Sequence, residues 1–277
     1  PFTLVSLRLL FGVALLAAVV GAAREPLPRE PRMRGHLVML GFFSVALPFG
    51  LITWAEQSVD SSLAAVLTGA MPLFVIPFAA SMLSAERVTF NALLGVIVGF
   101  VGVAIVVGFD PAALAGGELT AELALVGAAA SYAFGGVYAR RNVHGLRPMI
   151  PALFQVGIAL VMMSVPALLL ERPWERNIPA DAWFAVVWLG LLGSGAAYLV
   201  FFRLLQRWGA TRTSMVAYVL PIWGIVLGAL VLREAIDLRL LIGTAIVISG
   251  IALVNRRQSL RPAALRRVAP SVGDGSG

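Results

Sequence analysis

Long apolar segments separated by short polar stretches dominate this chain. Nine such segments lie at about 2–23, 35–55, 60–82, 89–109, 120–139, 148–170, 181–202, 211–232 and 239–254. Each is close to the roughly 20 residues that an apolar helix needs to cross a bilayer. The pattern therefore predicts an all-α integral membrane protein with nine transmembrane helices in this chain.

Composition supports a membrane protein and excludes other classes. The chain has 277 residues, of which 60% are hydrophobic and 13% are charged, and it has no Cys. A soluble domain carries about 25% charged residues. A soluble globular enzyme, a disordered chain and a disulfide scaffold are therefore excluded. Nine helices of about 20 residues leave no room for a soluble catalytic domain.

The net charge of +7 indicates how the helices are oriented. All 21 basic residues are Arg; sixteen fall on the side reached after the first span, four on the other side, and Arg8 lies inside that span. Cytoplasmic loops carry the excess of positive charge in membrane proteins. The side with sixteen Arg, including the C-terminal tail, is therefore predicted to be cytoplasmic. The charge indicates anionic membrane lipids as partners rather than nucleic acid.

The two halves of the chain share an internal repeat. The first half has Gly41, Pro72, Glu86, Gly95 and Gly102, and Gly190, Pro221, Glu234, Gly243 and Gly250 follow at offsets of 149 or 148 residues. The segment at 120–139 has no partner in the first half. A tenth helix before residue 1 would supply that partner and place both ends in the cytoplasm. We therefore expect two inverted five-helix repeats, the alternative being a nine-span protein.

Several motifs resemble one transporter family. In the first half these are Pro72-Leu73, Ser84-Ala85-Glu86-Arg87 and the stretch 95–102, and in the second half they are 217–221, Arg233-Glu234, Gly243 and 249–253. Residues 2–8 are similar to the family's second helix. The order and spacing of these motifs resemble the drug/metabolite transporter superfamily, EamA type, over essentially the whole chain.

The resemblance implies an architecture and a function. The first repeat would cover 1–110 with four spans, an external linker 111–119, the second repeat 120–255, and a basic, disordered cytoplasmic tail 256–277. The expected protein is a secondary transporter of the bacterial inner membrane. It would export amino acids or similar small polar metabolites by alternating access at a midplane cavity between the repeats.

Polar and aromatic residues at membrane depth are the candidates for that cavity. The aromatic candidates are Tyr132, Tyr198, Tyr218, Trp223 and Trp54, and the smaller polar candidates are Ser44, Thr68, Ser131, Ser194, Ser214 and Gln155. The resemblance implies that the helices carrying Tyr132, Tyr198, Tyr218 and Trp223 line the cavity. For any single aromatic residue, packing is the alternative.

Arg8 is the one charge well inside a span, about 10 Å from its start. An unpaired charge at that depth is costly, so it should face the interior or water. It would bind a carboxylate or another anion, or it would extend to the outer interface or pair with Glu122. Gln155 is its counterpart in the repeat.

Prolines and small residues suggest joints and packing surfaces. Pro72 and Pro221 occupy corresponding places in the halves, where a missing backbone donor would loosen the helix beside the substrate path. The alternative is a packing kink. The stripe Gly127-x3-Ser131-x3-Gly135 favours close helix packing. The pair Gly95-x3-Gly99 also favours close helix packing, with a contact in a homodimer as the alternative.

Other chemistry is missing from the sequence. No Asp or Glu lies at the centre of a span, and no Walker motif or His/Asp/Glu cluster with metal-ligand spacing occurs. His36 and His144 are predicted to be solvated loop residues near the cytoplasmic face. We expect no cofactor, no metal and no enzymatic activity. The alternatives to a carrier are an intramembrane enzyme, a membrane assembly protein or a channel.

Overall fold

The computed structural model describes residues 2–83, 89–108, 118–143, 145–172, 179–201, 203–204 and 216–255. Regular structure in these residues is entirely helical. The spans are α1 (Phe2–Ala22), α2 (Pro31–Ala55), α3 (Ser61–Met82), α4 (Phe90–Val107), α5 (Glu118–Asn142), α6 (Met149–Glu171), α7 (Ala182–Phe201), α8 (Val219–Leu232) and α9 (Leu238–Val254). Helical backbone extends α7 back to Ala180, α8 back to Val216 and α9 on to Asn255.

By length and composition, the first seven of these described helices suffice to cross a membrane, and α8 and α9 are shorter apolar helices. Their bounds agree with the nine predicted segments to within a few residues, apart from the starts of α2 and α8. The prediction of an all-helical membrane protein is therefore confirmed. The inverted relation between the halves stays a prediction. The linker and the basic tail fall almost wholly outside the described residues.

Local signals explain where several helices begin and end. Pro31 stands at the first position of α2, where a backbone N–H is not needed. Thr89 caps α4 because its side-chain oxygen accepts a hydrogen bond of 3.2 Å from the N–H of Ala92. Gly108 ends α4 with a positive φ of 60°, which glycine adopts at little cost.

Four of the described helices contain wide π-helical turns, and those of α6 and α8 lie at the helix ends, at Ala167–Glu171 and Gly228–Leu232. The other two lie at Phe42–Ala46 in α2 and at Leu189–Ala196 in α7. Adding the repeat offset of 149 to 42–46 gives 191–195, which falls within the turn of α7. A π turn inserts an extra residue and rotates the following part of the helix, and such turns occur often at functional sites. Both turns lie beside the residues described below.

The span α3 is broken in the middle. Its first part ends at Gly69 and its second begins at Met71. Ala70 donates to the carbonyl of Leu67 at 3.2 Å, and Leu73 donates to the carbonyl of Ala70 at 2.9 Å. Pro72 lies in the first turn after the break, where its lack of a donor costs little. Pro72 thus marks an interrupted helix, whereas Pro221 lies inside a continuous one.

Glycines allow α4 and α9 to approach closely. A Cβ at Gly95 would lie 2.6 Å from the carbonyl oxygen of Gly250, and one at Gly99 would overlap the Leu73 side chain. Small residues at helical spacing permit such backbone contact. The stripe at Gly95 and Gly99 is therefore occupied by α9 and α3 of the same chain. These two glycines thus pack within the chain, and the homodimer stays a prediction.

Two clusters of buried apolar residues surround the region of interest. One is centred on α3, α4, α5 and α9 and includes Leu67, Leu125 and Ile251. The other joins α1, α2 and α6 and includes Leu9 and Val156. The contacts between α1, α2, α5 and α7 lie beside the second cluster and carry the polar residues of the site.

The prediction for His36 was wrong. His36 lies within α2, is partly buried, and its Nδ1 lies 2.7 Å from the hydroxyl of Tyr138 on α5. Apolar sequence begins at Leu37, but the helix extends about two turns further toward its N-terminus because Pro31 starts it. His144 lies outside the described residues.

Candidate functional site

Arg8 forms the centre of a polar cluster between three helices. It is half-buried on α1, and its Nε donates a hydrogen bond of 3.1 Å to the Oγ of Ser194 on α7. Its Cζ lies 4.6 Å from the centre of the Phe49 ring on α2, a cation–π distance. Two fixed contacts thus hold the guanidinium at depth in the bundle.

Close packing of α1 on α7 fixes this geometry. Ser194 is fully buried, and a Cβ at Gly12 would lie 2.9 Å from the Ser194 Cβ. A Cβ at Gly190 would lie 2.6 Å from the carbonyl oxygen of Arg8. At Gly193, by contrast, the nearest atom would be the Arg8 Nη2 at 3.6 Å. The terminal nitrogens of the guanidinium therefore face a position with open space.

Two of the predicted tyrosines lie near Arg8. Tyr132 on α5 and Tyr198 on α7 are half-buried, and both interact electrostatically with the guanidinium. Glu56, in the turn after α2, also acts on Arg8 from a distance. The structure therefore brings together three residues that were predicted separately, Arg8, Tyr132 and Tyr198.

Arg8 has no carboxylate partner within 4.0 Å among the described residues. The predicted alternative of a pair with Glu122 is wrong, because the charges acting on Glu122 are Arg239 and Glu118. Glu122 is buried on α5, away from this cluster. An unpaired guanidinium in a membrane protein is costly, and a bound anion would offset that cost.

Two predicted hydroxyls serve helix structure. The Oγ of Ser131 donates to the carbonyl of Phe43 at 2.7 Å, within the π turn of α2. A Cβ at Gly135 would overlap the Ser44 side chain, so this stripe of α5 packs tightly on α2. The Oγ1 of Thr68 donates to the carbonyl of Ala64 in its own helix at 2.6 Å. Both hydroxyl donors are therefore already satisfied, and the place of Ser131 and Thr68 in the cavity lining stays a prediction.

The other predicted residues lie apart from Arg8. Gln155 is buried on α6, where its backbone carbonyl faces Gly41 of α2. Trp54 and Trp223 are exposed, and Pro221 is buried. The side chains of Tyr218 and Ser214 lie outside the described residues. Gln155, Trp54, Trp223 and Pro221 make no contact with the guanidinium within the described part of the chain, so the described cluster is smaller than the predicted set.

Sequence reasoning missed a run of aromatic contacts between Ser131 and the C-terminal end of α5. Phe134 on α5 contacts Phe43 at 4.6 Å and Phe78 at 5.6 Å between ring centres, and it stacks with Tyr138 at 5.8 Å. Tyr138 in turn contacts His36. The signal was the i, i+4 spacing of Phe134 and Tyr138, which places both rings on one face of α5. These rings join α2, α3 and α5.

No group of three or more His, Cys, Asp or Glu within the described ranges could hold a metal ion.

The sequence profile of the EamA-like transporter family matches residues 1–108 and 119–256. The chain belongs to the EamA-like transporter family. The two matched stretches exclude only part of the linker and the tail. Family membership makes the protein a multi-pass membrane transporter, so the polar cluster at Arg8 lies inside a transporter.

Relatives of this EamA-like protein carry the same general name. It is 24% identical to the uncharacterized transporter YoaV of Bacillus subtilis, over 91% of this chain and 86% of that protein. It is 27% identical to the uncharacterized inner membrane transporter YedA of Escherichia coli K12, over 100% of this chain and 88% of that protein. A solved crystal structure with 23% identity has the same fold, with a TM-score of 0.65 over 93% of this chain and 89% of that one.

Proposed function

We propose that this EamA-like transporter is a secondary carrier that exports small zwitterionic metabolites, amino acids among them, across the inner membrane. The observation that carries the proposal is Arg8, a guanidinium at depth that is held by Ser194 and Phe49 and has no carboxylate within 4.0 Å in the described chain. The inner-membrane location is proposed by similarity to YedA, which is named an inner membrane transporter.

The substrate's carboxylate would bind the terminal nitrogens of Arg8. The bond from Nε to Ser194 leaves those nitrogens toward Gly193, where there is open space. A guanidinium recognises a carboxylate through two parallel hydrogen bonds. Ser194 would thus orient the guanidinium, and the Phe49 ring would pack against its planar face.

The substrate's ammonium group would lie toward Glu56. Glu56 attracts Arg8 electrostatically and forms no salt bridge with it within the described residues. A small molecule with opposite charges at its two ends fits between separated charges of opposite sign. The hydroxyls of Tyr132 and Tyr198, near the same guanidinium, would select for polar groups beside the carboxylate.

The transport cycle would be alternating access. The two predicted repeats would move relative to each other and expose the site at Arg8 first to the cytoplasm and then to the outside. The C-terminus would lie in the cytoplasm, and the sixteen Arg on one side support this under the positive-inside rule.

Transport in proteoliposomes tests this proposal. Radiolabelled amino acids would be compared with their decarboxylated amines, for the parent and for Arg8→Gln and Arg8→Lys. Hydrogen bonds to a charged group are worth about 1.5–3 kcal/mol, so Arg8→Gln should lower kcat/KM about 10- to 100-fold. Arg8→Lys keeps the charge but loses the two parallel donors of the guanidinium, so its activity should be intermediate.

A matched control and two negative outcomes complete the test. Arg32→Gln removes an exposed cation of the cytoplasmic side and should leave the flux unchanged. No saturable flux of any compound across a broad panel would contradict a carrier function. Saturable flux that is equal for Arg8→Gln and the parent would contradict the role of Arg8 alone.

A further inference from the structure

An unusual backbone conformation recurs at the ends of three helices. Among the described non-glycine residues, only Arg24, Arg172 and Arg233 have a positive φ, of 49°, 45° and 57°. This left-handed region is uncommon for side chains other than Gly, Asn and Asp. Arg24 and Arg172 are separated by 148 residues, which is the repeat offset. Each of the three Arg directly adjoins a Glu in the sequence.

The Glu beside Arg172 binds the start of α1. The carboxylate of Glu171, at the end of α6, accepts from the N–H of Phe2 at 2.8 Å, the N–H of Thr3 at 2.8 Å and the Oγ1 of Thr3 at 2.7 Å. Both carboxylate oxygens are used. The contact thus joins parts of the chain that are 168 and 169 positions apart in the sequence.

The Glu beside Arg233 makes the same kind of contact with α3. The carboxylate of Glu234, after α8, accepts from the N–H of Ser61 at 2.9 Å, the Oγ of Ser61 at 2.6 Å and the N–H of Ser62 at 3.0 Å. Burial raises the pKa of Glu234, but the hydrogen bonds from Ser61 and Ser62 outweigh it and hold that pKa below its usual value. The helix dipole also favours a negative charge at a helix N-terminus.

The two carboxylate contacts lie at the same membrane face, and both run from the second half of the chain to the first. Both lie on the face that the distribution of Arg predicts to be extracellular. In both, a Glu of the predicted second repeat holds the first turn of a helix of the first repeat. Together they provide six hydrogen bonds between the halves at one face.

The corresponding contact on the cytoplasmic face is weaker. Glu25, next to Arg24, forms a salt bridge of 2.9 Å with Arg147, just before α6, and the Arg147 side chain is 64% exposed. Exposed salt bridges of this kind contribute little. Glu86, which adjoins Arg87 and would be the fourth such pair of Glu and Arg, lies outside the described residues. Among these Glu contacts, those on the outer face are therefore the stronger ones, while α2 and α3 meet α5 toward the inner face through His36–Tyr138 and the ring of Phe134.

We propose that Glu171 and Glu234 form the extracellular gate of the carrier. The carboxylates hold the N-termini of α1 and α3 against the ends of α6 and α8, and the outer face opens only when they release these helices. While these six hydrogen bonds are formed, they keep the site at Arg8 closed to the outside. This gate rests on the proposed alternating-access function, and it suits a carrier that loads from inside.

The absence of cysteine makes a direct accessibility test clean. Gly193→Cys places one thiol beside Arg8, where an added Cβ meets nothing closer than 3.6 Å. A membrane-impermeant anionic methanethiosulfonate would be applied from either side of vesicles of known orientation. We expect labelling of this reporter to be slow from outside and faster from inside.

Removing both carboxylates should open the outer face. With Glu171→Gln and Glu234→Gln together, labelling from outside should rise at least about tenfold, since each residue loses charge-assisted hydrogen bonds. Glu118→Gln, which removes an exposed acid of the same face, is the matched control and should not change the rate. Glu171→Asp with Glu234→Asp keeps both charges and should give an intermediate rate.

Three results would overturn the gate. They are rapid outside labelling of the reporter without the Gln substitutions, an unchanged outside rate in the double Gln variant, and an equal rise from both sides accompanied by a lower Tm. The last result would show that the carboxylates only stabilise the fold. Labelling needs no substrate, so its outcome is independent of whether the flux experiment succeeds.

Discussion

Replacing Gly250 with Ala tests the close packing of α4 on α9. In the structure, a Cβ at this position would lie 2.5 Å from the Gly99 nitrogen, 2.6 Å from the Gly95 carbonyl oxygen and 2.6 Å from the Gly99 Cα. All three atoms belong to the backbone, so no side-chain rotation can relieve the overlap. The two helices must therefore move apart.

The size of the effect follows from these distances. Ordinary contact begins near 3.4 Å, so an atom at 2.6 Å must move by about 0.8 Å. A radial gap of about 0.5–1 Å already loses a quarter to a half of the dispersion attraction of the surrounding contacts. Overpacking costs about 1–3 kcal/mol, and Ala regains up to about 1 kcal/mol of helix propensity. We expect a net loss of about 1–2 kcal/mol, or about 2–8 °C in Tm.

Thermal unfolding in detergent, followed by circular dichroism, measures this loss. Gly157→Ala is the matched control, because a Cβ at Gly157 would meet no atom within 4 Å. That variant should keep or slightly raise the Tm, since it gains helix propensity without a clash. A Gly250→Ala variant as stable as Gly157→Ala would refute the packing of α4 on α9 described above.

Three further predictions concern polar contacts. Ser131→Ala loses the hydrogen bond to the Phe43 carbonyl and should lower the free energy of unfolding by about 1–2 kcal/mol, while KM for transport stays unchanged. Tyr138→Phe keeps the ring but loses the hydroxyl bonded to His36, so denaturant unfolding should show a loss of about 1 kcal/mol. The stability difference between the parent and Glu234→Gln should be constant from about pH 7 to 5.5. It should shrink at lower pH, because a lowered folded-state pKa makes the contribution disappear only as pH falls through and below the ordinary Glu value of about 4.3.

The helices and their packing stripes could be predicted because they depend on local pattern. A run of about 20 apolar residues has few alternatives to a spanning helix, so the segments were placed correctly. Glycines at a spacing of four lie on one helix face, and such a face favours a backbone contact. Gly95 fulfils this expectation with Gly250. The sequence could not say which helix supplies the partner.

The contact of Arg8 with Phe49 could not be predicted, because it depends on helix rotation. Nothing in the apolar run of α2 distinguishes Phe49, which supports the guanidinium, from Phe42, which does not contact it. The π turns before Phe49 and around Ser194 rotate the helices, and such turns have no sequence signature in one chain. A pattern based on regular helical spacing therefore assigns faces incorrectly beyond these turns.

The charges at the outer end of the bundle link the site to the proposed gate. Glu56 feels the attraction of Arg8 and the repulsion of Glu234. A zwitterion bound between Arg8 and Glu56 would place its ammonium group near Glu56, where that positive charge would also attract the Glu234 carboxylate away from the N-terminus of α3. Substrate would thus weaken the outer contact, as export requires. We therefore expect substrate on the cytoplasmic side to raise the rate of outside labelling of the reporter at Gly193→Cys, and we expect Glu56→Gln to remove this dependence.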